Sequence, residues 1–324
     1  SYLDYRINKI NYMNKNKIKN DPLGGSQEDW FSYGEDNYQN ADAIIASEQF
    51  GLDIKSTRHY IDWTWKNQKN IALSLLLKKS NVSICDLGCA IGSHHKYFFG
   101  ENKNINLTGV DLGATGIKIA KKLNSEFNCN YIVGDASDLP FDNENFDHTF
   151  ALQLWHTMPQ PSLLIREMLR ITKPNGSITI TTINYYQSLL WNATALMSFL
   201  LKRKEKPIHS EEKIIEIFDS YNLKPSIDYI TFRPTQPVLK YIPKRYFGFV
   251  LHHCRNIDFL LHYFKLEKLC SVIVIRIGEK NKQEEYWRNN KIWLELPITI
   301  LVFIYLFGLH WVRDIYKFVI RGMK

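Results

Sequence analysis

The chain has 324 residues, enough for one enzyme-sized folded unit with appendages. Its 45% hydrophobic and 23% charged content is ordinary for a folded globular protein, so disorder is not the default. The formal charge of +8 suits an anionic partner, but the lysines are spread along the chain, which equally reflects overall composition.

The N-terminal stretch SYLDYRINKINYMNKNKIKN lacks the apolar core of an export signal. A cytoplasmic protein is therefore expected, with the inner face of a membrane as the alternative location. Residues 1–57 are polar, aromatic and turn-rich, suited to a lid, and residues 58–79 read as a helix. From Val82 onward short apolar runs alternate with amphipathic stretches, the pattern of a mostly parallel sheet covered by helices. Strands are expected at 82–85, 107–110, 131–133, 148–152, 177–183, 227–232 and 271–277. Leu164, Met168 and Ile171 recur at helical spacing, and Lys173-Pro174-Asn175-Gly176 is expected to turn that helix into the next strand.

The fold class is thus α/β: a Rossmann-like, seven-stranded, mostly parallel sheet with helices on both faces. Residues 58–280 form the main domain, with helical insertions at 185–205 and 234–269 that either wall a substrate pocket or thicken the core. Residues 281–324 form a hydrophobic, basic helical extension. Within it, LPITILVFIYLFGLHWV (296–312) has no Asp, Glu, Lys or Arg and is flanked by Lys291, Arg313, Lys317, Arg321 and Lys324. Such a run spans a bilayer, lies on its surface, or packs against the domain or a second subunit; Glu295 and Pro297 weaken a regular span. The sequence carries no mark of oligomeric state.

Cys85, Cys89, Cys129, Cys254 and Cys270 form an odd set without the spacing of a disulfide framework or a zinc site. Structural thiols in a reducing compartment are expected, and no metal.

The chemistry concentrates in Ile84-Cys85-Asp86-Leu87-Gly88-Cys89-Ala90-Ile91-Gly92, a strand that ends on a carboxylate and turns through glycines into a helix. Gly88 permits a tight turn and Gly92 a close backbone approach, so a nucleotide-like ligand can lie against main chain. Asp86 suits a cationic ammonium group. Asp111 ends the second strand, where a carboxylate accepts from both ribose hydroxyls, and Asp135 follows the third, within reach of an adenine amino group. Strand-end aspartates also cap helices and satisfy turn amides, so both roles stand for Asp86, Asp111 and Asp135. His156, after the fourth strand, is the best general-base candidate, against a packing role; His94 and His95 rank lower.

These residues, with Gly134-Asp135-Ala136, Leu139-Pro140-Phe141, Phe146-Asp147 and Arg170 to Gly176, resemble the class I S-adenosylmethionine-dependent methyltransferases. The likeness is to the metal-independent group with a "GDA…LPF…FD" segment, over roughly residues 58–280. The resemblance implies S-adenosylmethionine as cofactor. Asp86, Gly88, Cys89 and Gly92 then border its methionine part, Asp111 and Leu112 the ribose, Asp135 and Ala136 the adenine, and Leu152 completes the set. Ala90 stands where the family commonly has glycine. No Asn-Pro-Pro-aromatic segment follows the fourth strand, which disfavours nucleobase or amide methylation, and no acidic pair there suits a divalent metal. A small-molecule or lipid-linked acceptor is expected. A nucleotide-dependent oxidoreductase and RNA methylation are disfavoured, no RNA-binding module being present. A non-catalytic membrane scaffold on the same fold is the alternative from a different class.

Overall fold

The computed structural model describes residues 43–44, 47, 52–72, 81–99, 104–184, 210–232, 241–278 and 292–322. Most of the expected lid lies outside these residues, as do the expected helix 189–201, residues 234–240, Lys291 and Lys324.

A first helix, α1 (Ile54–Ala72), precedes an alternation of β1 (Val82–Leu87), α2 (His95–Phe99), β2 (Ile105–Asp111), α3 (Ala114–Leu123), β3 (Cys129–Val133), β4 (Phe146–Leu152), α4 (Pro161–Ile171) and β5 (Thr172–Ile183). Then come α5 (Glu211–Asp219), β6 (Ser226–Ile230), α6 (Phe247–Tyr263), β7 (Val272–Ile277) and α7 (Ile292–Gly322). The seven strands form one sheet in the order β3-β2-β1-β4-β5-β7-β6. Strands β1 to β5 pair in parallel, whereas β7 is antiparallel to both β5 and β6. The β7 run VIVIRI is buried along almost its whole length, as suits a strand flanked on both sides. Successive strands step outward from β1 to β2 and β3, then return to β4 on its other side. That reversal opens a crevice at the carboxyl ends of β1 and β4, the place where open α/β sheets bind ligands.

Several boundaries differ from expectation, and two of the differences have a clear physical cause. The Lys173 to Gly176 stretch is no free turn: it lies inside β5 as an irregularity, with the register jumping from Phe146↔Thr172 to His148↔Ser177. A Cβ on Gly176 would fall 2.5 Å from the Asp147 carbonyl oxygen, so only glycine lets the strands close here. Lys173 and the Ser83 amide hold the Asp147 carboxylate at 3.0 and 2.9 Å, which fastens the same corner. Strand β6 stops at Ile230 because Thr231 takes a left-handed backbone (φ 61°) and donates its amide to Asp258.

The C-terminal run is helical, and one face of it packs on α6. Val302 and Leu306 are buried, and Phe303 meets Phe232 at 5.8 Å between ring centroids. Polar contacts close the near end: Glu295 accepts from His252 (2.7 Å) and Asn256 (2.6 Å), while His253 lies 2.9 Å from Thr299 Oγ1. Among the described residues no helix is long and apolar enough to cross a membrane, and α7 commits one side to the protein. Its other side is bare, with Leu294 83%, Leu301 66%, Ile304 59% and Val312 69% exposed.

Candidate cofactor site

The turn after β1 is left-handed at three residues: Gly88 (φ 74°), Ala90 (49°) and Gly92 (60°). Ala90 adopts a conformation that costs an L-residue roughly 1 kcal/mol, at the position where the family commonly has glycine. The strand-end groups of β2 hold this backbone in place. The Gly88 and Cys89 amides donate to the Val110 carbonyl (2.8 and 3.1 Å), and the Ala90 amide donates to Asp111 Oδ2 (2.9 Å). Asp111 Oδ1 accepts from the Gly113 amide at 2.7 Å. Asp111 therefore performs the turn-satisfying role and still stands half-buried at the carboxyl end of β2, followed by the exposed Leu112.

The glycines owe their place partly to close packing by the protein itself. A Cβ on Gly88 would lie 2.9 Å from the Leu154 side chain, which folds over the turn from the end of β4. At Gly92 the space is taken by His95, Asn124 and Tyr131. The Cys89 thiol packs towards Gly109 and Tyr131 and joins a buried cluster with Ile117 and Ala120, so only its main chain borders the crevice. Burial raises this thiol well above its ordinary pKa.

Asp86 is buried, and sequence reasoning missed its partners. Its Oδ2 lies 2.7 Å from His94 Nε2 and 2.8 Å from His95 Nε2, while His95 Nδ1 lies 2.7 Å from the Tyr131 hydroxyl. The network is satisfied when Tyr131 donates to His95 and both imidazole Nε2–H groups donate to the carboxylate. Trp65 stacks on His94 with centroids 4.4 Å apart and seals it. Burial alone would raise the Asp86 carboxyl, but the charge and hydrogen bonds of His94 and His95 bring it down to about 2. Burial, with the neighbouring His94, lowers His95 to about 4. The ligand atoms of this trio lie within 4.8 Å of one another, a spacing that can hold a metal, but two hydrogen bonds already occupy Oδ2 and all three residues are buried. Asp86 Oδ1 remains buried with no hydrogen-bond partner among the described residues.

The His95 environment has a pH consequence. Unfolded, an imidazole takes a proton below about pH 6.5, whereas the folded His95 stays neutral down to about 4. Between those values the unfolded state binds more protons, so this contribution is complete above about pH 6.5 and is lost as pH falls toward 4. Urea unfolding should give about 2 kcal/mol less stability at pH 4.5 than at pH 7. His95→Gln should flatten that slope, and an unchanged slope in the variant would contradict the assignment.

Asp135 closes a local turn, its Oδ1 accepting from the amide (2.9 Å) and hydroxyl (2.6 Å) of Ser137. Ala136 is buried beside it. The following segment is gripped by α4, a second feature that sequence reasoning left unassigned. The Leu139 amide donates to Glu167 Oε2 (2.9 Å), and Arg170 donates to the carbonyls of Leu139 (3.0 Å) and Phe141 (2.6 Å) while pairing with Glu167 at 2.7 Å. Burial works against ionisation of Glu167, but Arg170 and the Leu139 amide hold its pKa below the ordinary value.

Leu152 is buried at the end of β4. His156 follows on a short 3-10 turn, Trp155–Thr157, anchored by the fully buried Trp155 stacking on Phe218. The His156 ring is half-buried, with Nδ1 3.3 Å from Thr182 Oγ1 on β5. The chain thus gathers Asp86, Asp111, Asp135, Leu152 and His156 at the carboxyl ends of β1, β2, β3 and β4.

The family described as "Methyltransferase domain" matches residues 85–180, from β1 into β5. Phthiotriol/phenolphthiotriol dimycocerosates methyltransferase 1 of Mycobacterium ulcerans is 26% identical over 133 residues, 41% of this chain and 49% of that protein. A fatty-acid O-methyltransferase of Mycolicibacterium smegmatis is 28% identical over 98 residues, 30% of this chain and 36% of that protein. The chain thus spans about half the length of the first of these relatives, or less. Among solved structures, a SAM-dependent methyltransferase from Aquifex aeolicus aligns with a TM-score of 0.40 at 15% identity, covering 51% of this chain and 84% of that one. The family match takes in the turn after β1 and the 134–141 segment, so the central part of the chain is similar to a methyltransferase domain.

Proposed function

We propose that the chain transfers a methyl group from S-adenosylmethionine to a lipid or lipid-linked acceptor at a membrane surface, without a metal in the transfer step. The bare apolar face of α7 is the observation that carries the acceptor class. Leu294, Ile298, Ile300, Leu301, Ile304 and Phe307 are all exposed on one helix whose other side is docked on the domain. A soluble protein rarely leaves such a surface to water. The formal charge of +8 complements anionic headgroups. The names of the two relatives, which refer to phthiotriol and fatty-acid substrates, support the same class.

The residues present fit the cofactor. Asp86 Oδ1 is a buried anionic acceptor with spare capacity, suited to the ammonium of the methionine part. The Asp111 carboxylate, at the carboxyl end of β2, offers oxygen acceptors to the ribose hydroxyls. The exposed Leu112 and Val133, at the ends of β2 and β3, offer apolar walls to the adenine, with the Asp135-Ala136 turn at its edge. When bound, S-adenosylmethionine supplies a methyl already activated by its sulfonium. The remaining work of the chain is to align an acceptor in line with that methyl and exclude water. His156 is placed to take the proton of a hydroxyl acceptor, whereas a carboxylate acceptor needs no base.

Flotation tests the carrying observation. Full-length protein should float with vesicles containing anionic phospholipid, and Leu301→Glu with Ile304→Glu should abolish flotation while leaving S-adenosylmethionine affinity intact. The two replaced side chains contribute roughly 2–4 kcal/mol when buried in lipid. Equal flotation of the double variant, or none by the parent, would contradict the membrane reading.

A further inference from the structure

A second constellation lies at the β6–β7 end of the sheet, apart from the cofactor turn. Asp258 and His262 stand one helical turn apart on α6, and the chain then folds back so that Cys270 enters β7 beside them. The Leu266 amide bonds to the Leu261 carbonyl (2.6 Å) and the Cys270 amide to the Glu267 carbonyl (2.8 Å), which makes that return tight. Cys270 Sγ lies 3.0 Å from Asp258 Oδ1, and His262 Nδ1 lies 3.8 Å from the same oxygen and 2.9 Å from the Asp258 carbonyl oxygen, a contact that a cation must displace at the ring nitrogen. One ligand atom from each of the three falls within 4.8 Å of the others. The Thr231 amide takes Asp258 Oδ2 at 3.0 Å, which turns Oδ1 towards the cysteine and histidine.

We propose that Asp258, His262 and Cys270 bind a divalent zinc-type cation that clamps α6 to the head of β7. A thiolate, an imidazole and a carboxylate form a donor set that zinc accepts and that magnesium and calcium do not favour. Tetrahedral bonds of about 2.0–2.3 Å set ligand atoms roughly 3.3–3.7 Å apart, a range that the 3.0 and 3.8 Å separations from Asp258 Oδ1 bracket. Asp258 and Cys270 are buried, with 1% and 0% exposure, whereas the His262 side chain is 15% exposed and leaves a route for the ion and a fourth-site water. The clamp reaches the main sheet through Asn184 at the end of β5, whose amide donates to the carbonyls of Cys270 (2.6 Å) and Lys268 (2.8 Å). This site does not depend on the acceptor or on the transfer chemistry.

Full-length protein purified without chelator and loaded with Zn²⁺ should retain one zinc per chain through gel filtration. Replacing zinc with Co²⁺ should produce a thiolate-to-cobalt charge-transfer absorption. Cys270→Ser should abolish that absorption, and His262→Gln should weaken zinc binding by at least about 100-fold, since changes behind the ligands alone cost 10–100-fold. His262→Gln changes a partly exposed side chain, so its circular dichroism and S-adenosylmethionine affinity should match the parent and show that the fold survives. No retained zinc and no charge-transfer band in the parent would overturn the proposal. Unchanged metal affinity in both variants would overturn it equally.

Discussion

Asp111→Ala should weaken S-adenosylmethionine binding by about 100-fold or more. Two hydroxyl bonds to a carboxylate contribute roughly 1.5–3 kcal/mol each, and every 1.4 kcal/mol is a factor of ten. The substitution also takes the acceptor from the Ala90 and Gly113 amides, so the turn that lies under the cofactor loosens together with the lost contact. Asp111→Asn keeps an oxygen for one amide and should lose closer to tenfold. Titration calorimetry with S-adenosylmethionine and its demethylated product reads both values. An Asp111→Ala protein with parental affinity would confine this residue to holding the turn.

Glu167→Ala carries the largest expected effect on stability, about 3 kcal/mol. The buried carboxylate accepts the Leu139 amide and neutralises Arg170; removing it leaves that amide without its acceptor and Arg170, still bonded to the Leu139 and Phe141 carbonyls, without its counterion. Thermal unfolding should fall by roughly 6–10 °C for a domain of this size. Glu167→Gln keeps an acceptor for Leu139 and should lose about a third as much. A change below about 0.5 kcal/mol in the alanine variant would show that Arg170 holds the segment alone.

The sheet was legible because its strands are short apolar runs closed by turn residues, and hydrophobic burial follows that pattern directly. Val82 to Leu87 is an example: both neighbouring strands bury it, so nearly every position is apolar or small. The turn expected at Lys173 to Gly176 misled because its local chemistry is that of a turn, while the tertiary approach of Asp147 to Gly176 draws it into β5. Of the crevice, the strand-end acids were visible from position alone. Their partners were not, since the hydrogen bonds from His94 and His95 to Asp86 depend on how the turn coils back. Glu167 did leave a signal: it falls on the same helical stripe as Leu164, Met168 and Ile171, and a carboxylate on a buried stripe implies a specific partner. The C-terminal run read as uniformly apolar because its division into a docked and a bare face depends on α6. Cys270 meets Asp258 and His262 only through the return from α6 into β7, which the spacing of the cysteines does not display.

A labelled-methyl assay separates methyl transfer to a lipid acceptor from transfer to a water-soluble one. Full-length protein is incubated with methyl-labelled S-adenosylmethionine and anionic vesicles carrying long-chain acids and long-chain alcohols, alongside a water-soluble cell extract. Label should enter the organic-extractable fraction, with Asp111→Ala abolishing it and His156→Ala lowering it only for the alcohols. Label that enters only water-soluble acceptors, or no fraction while the protein binds S-adenosylmethionine, would contradict the account.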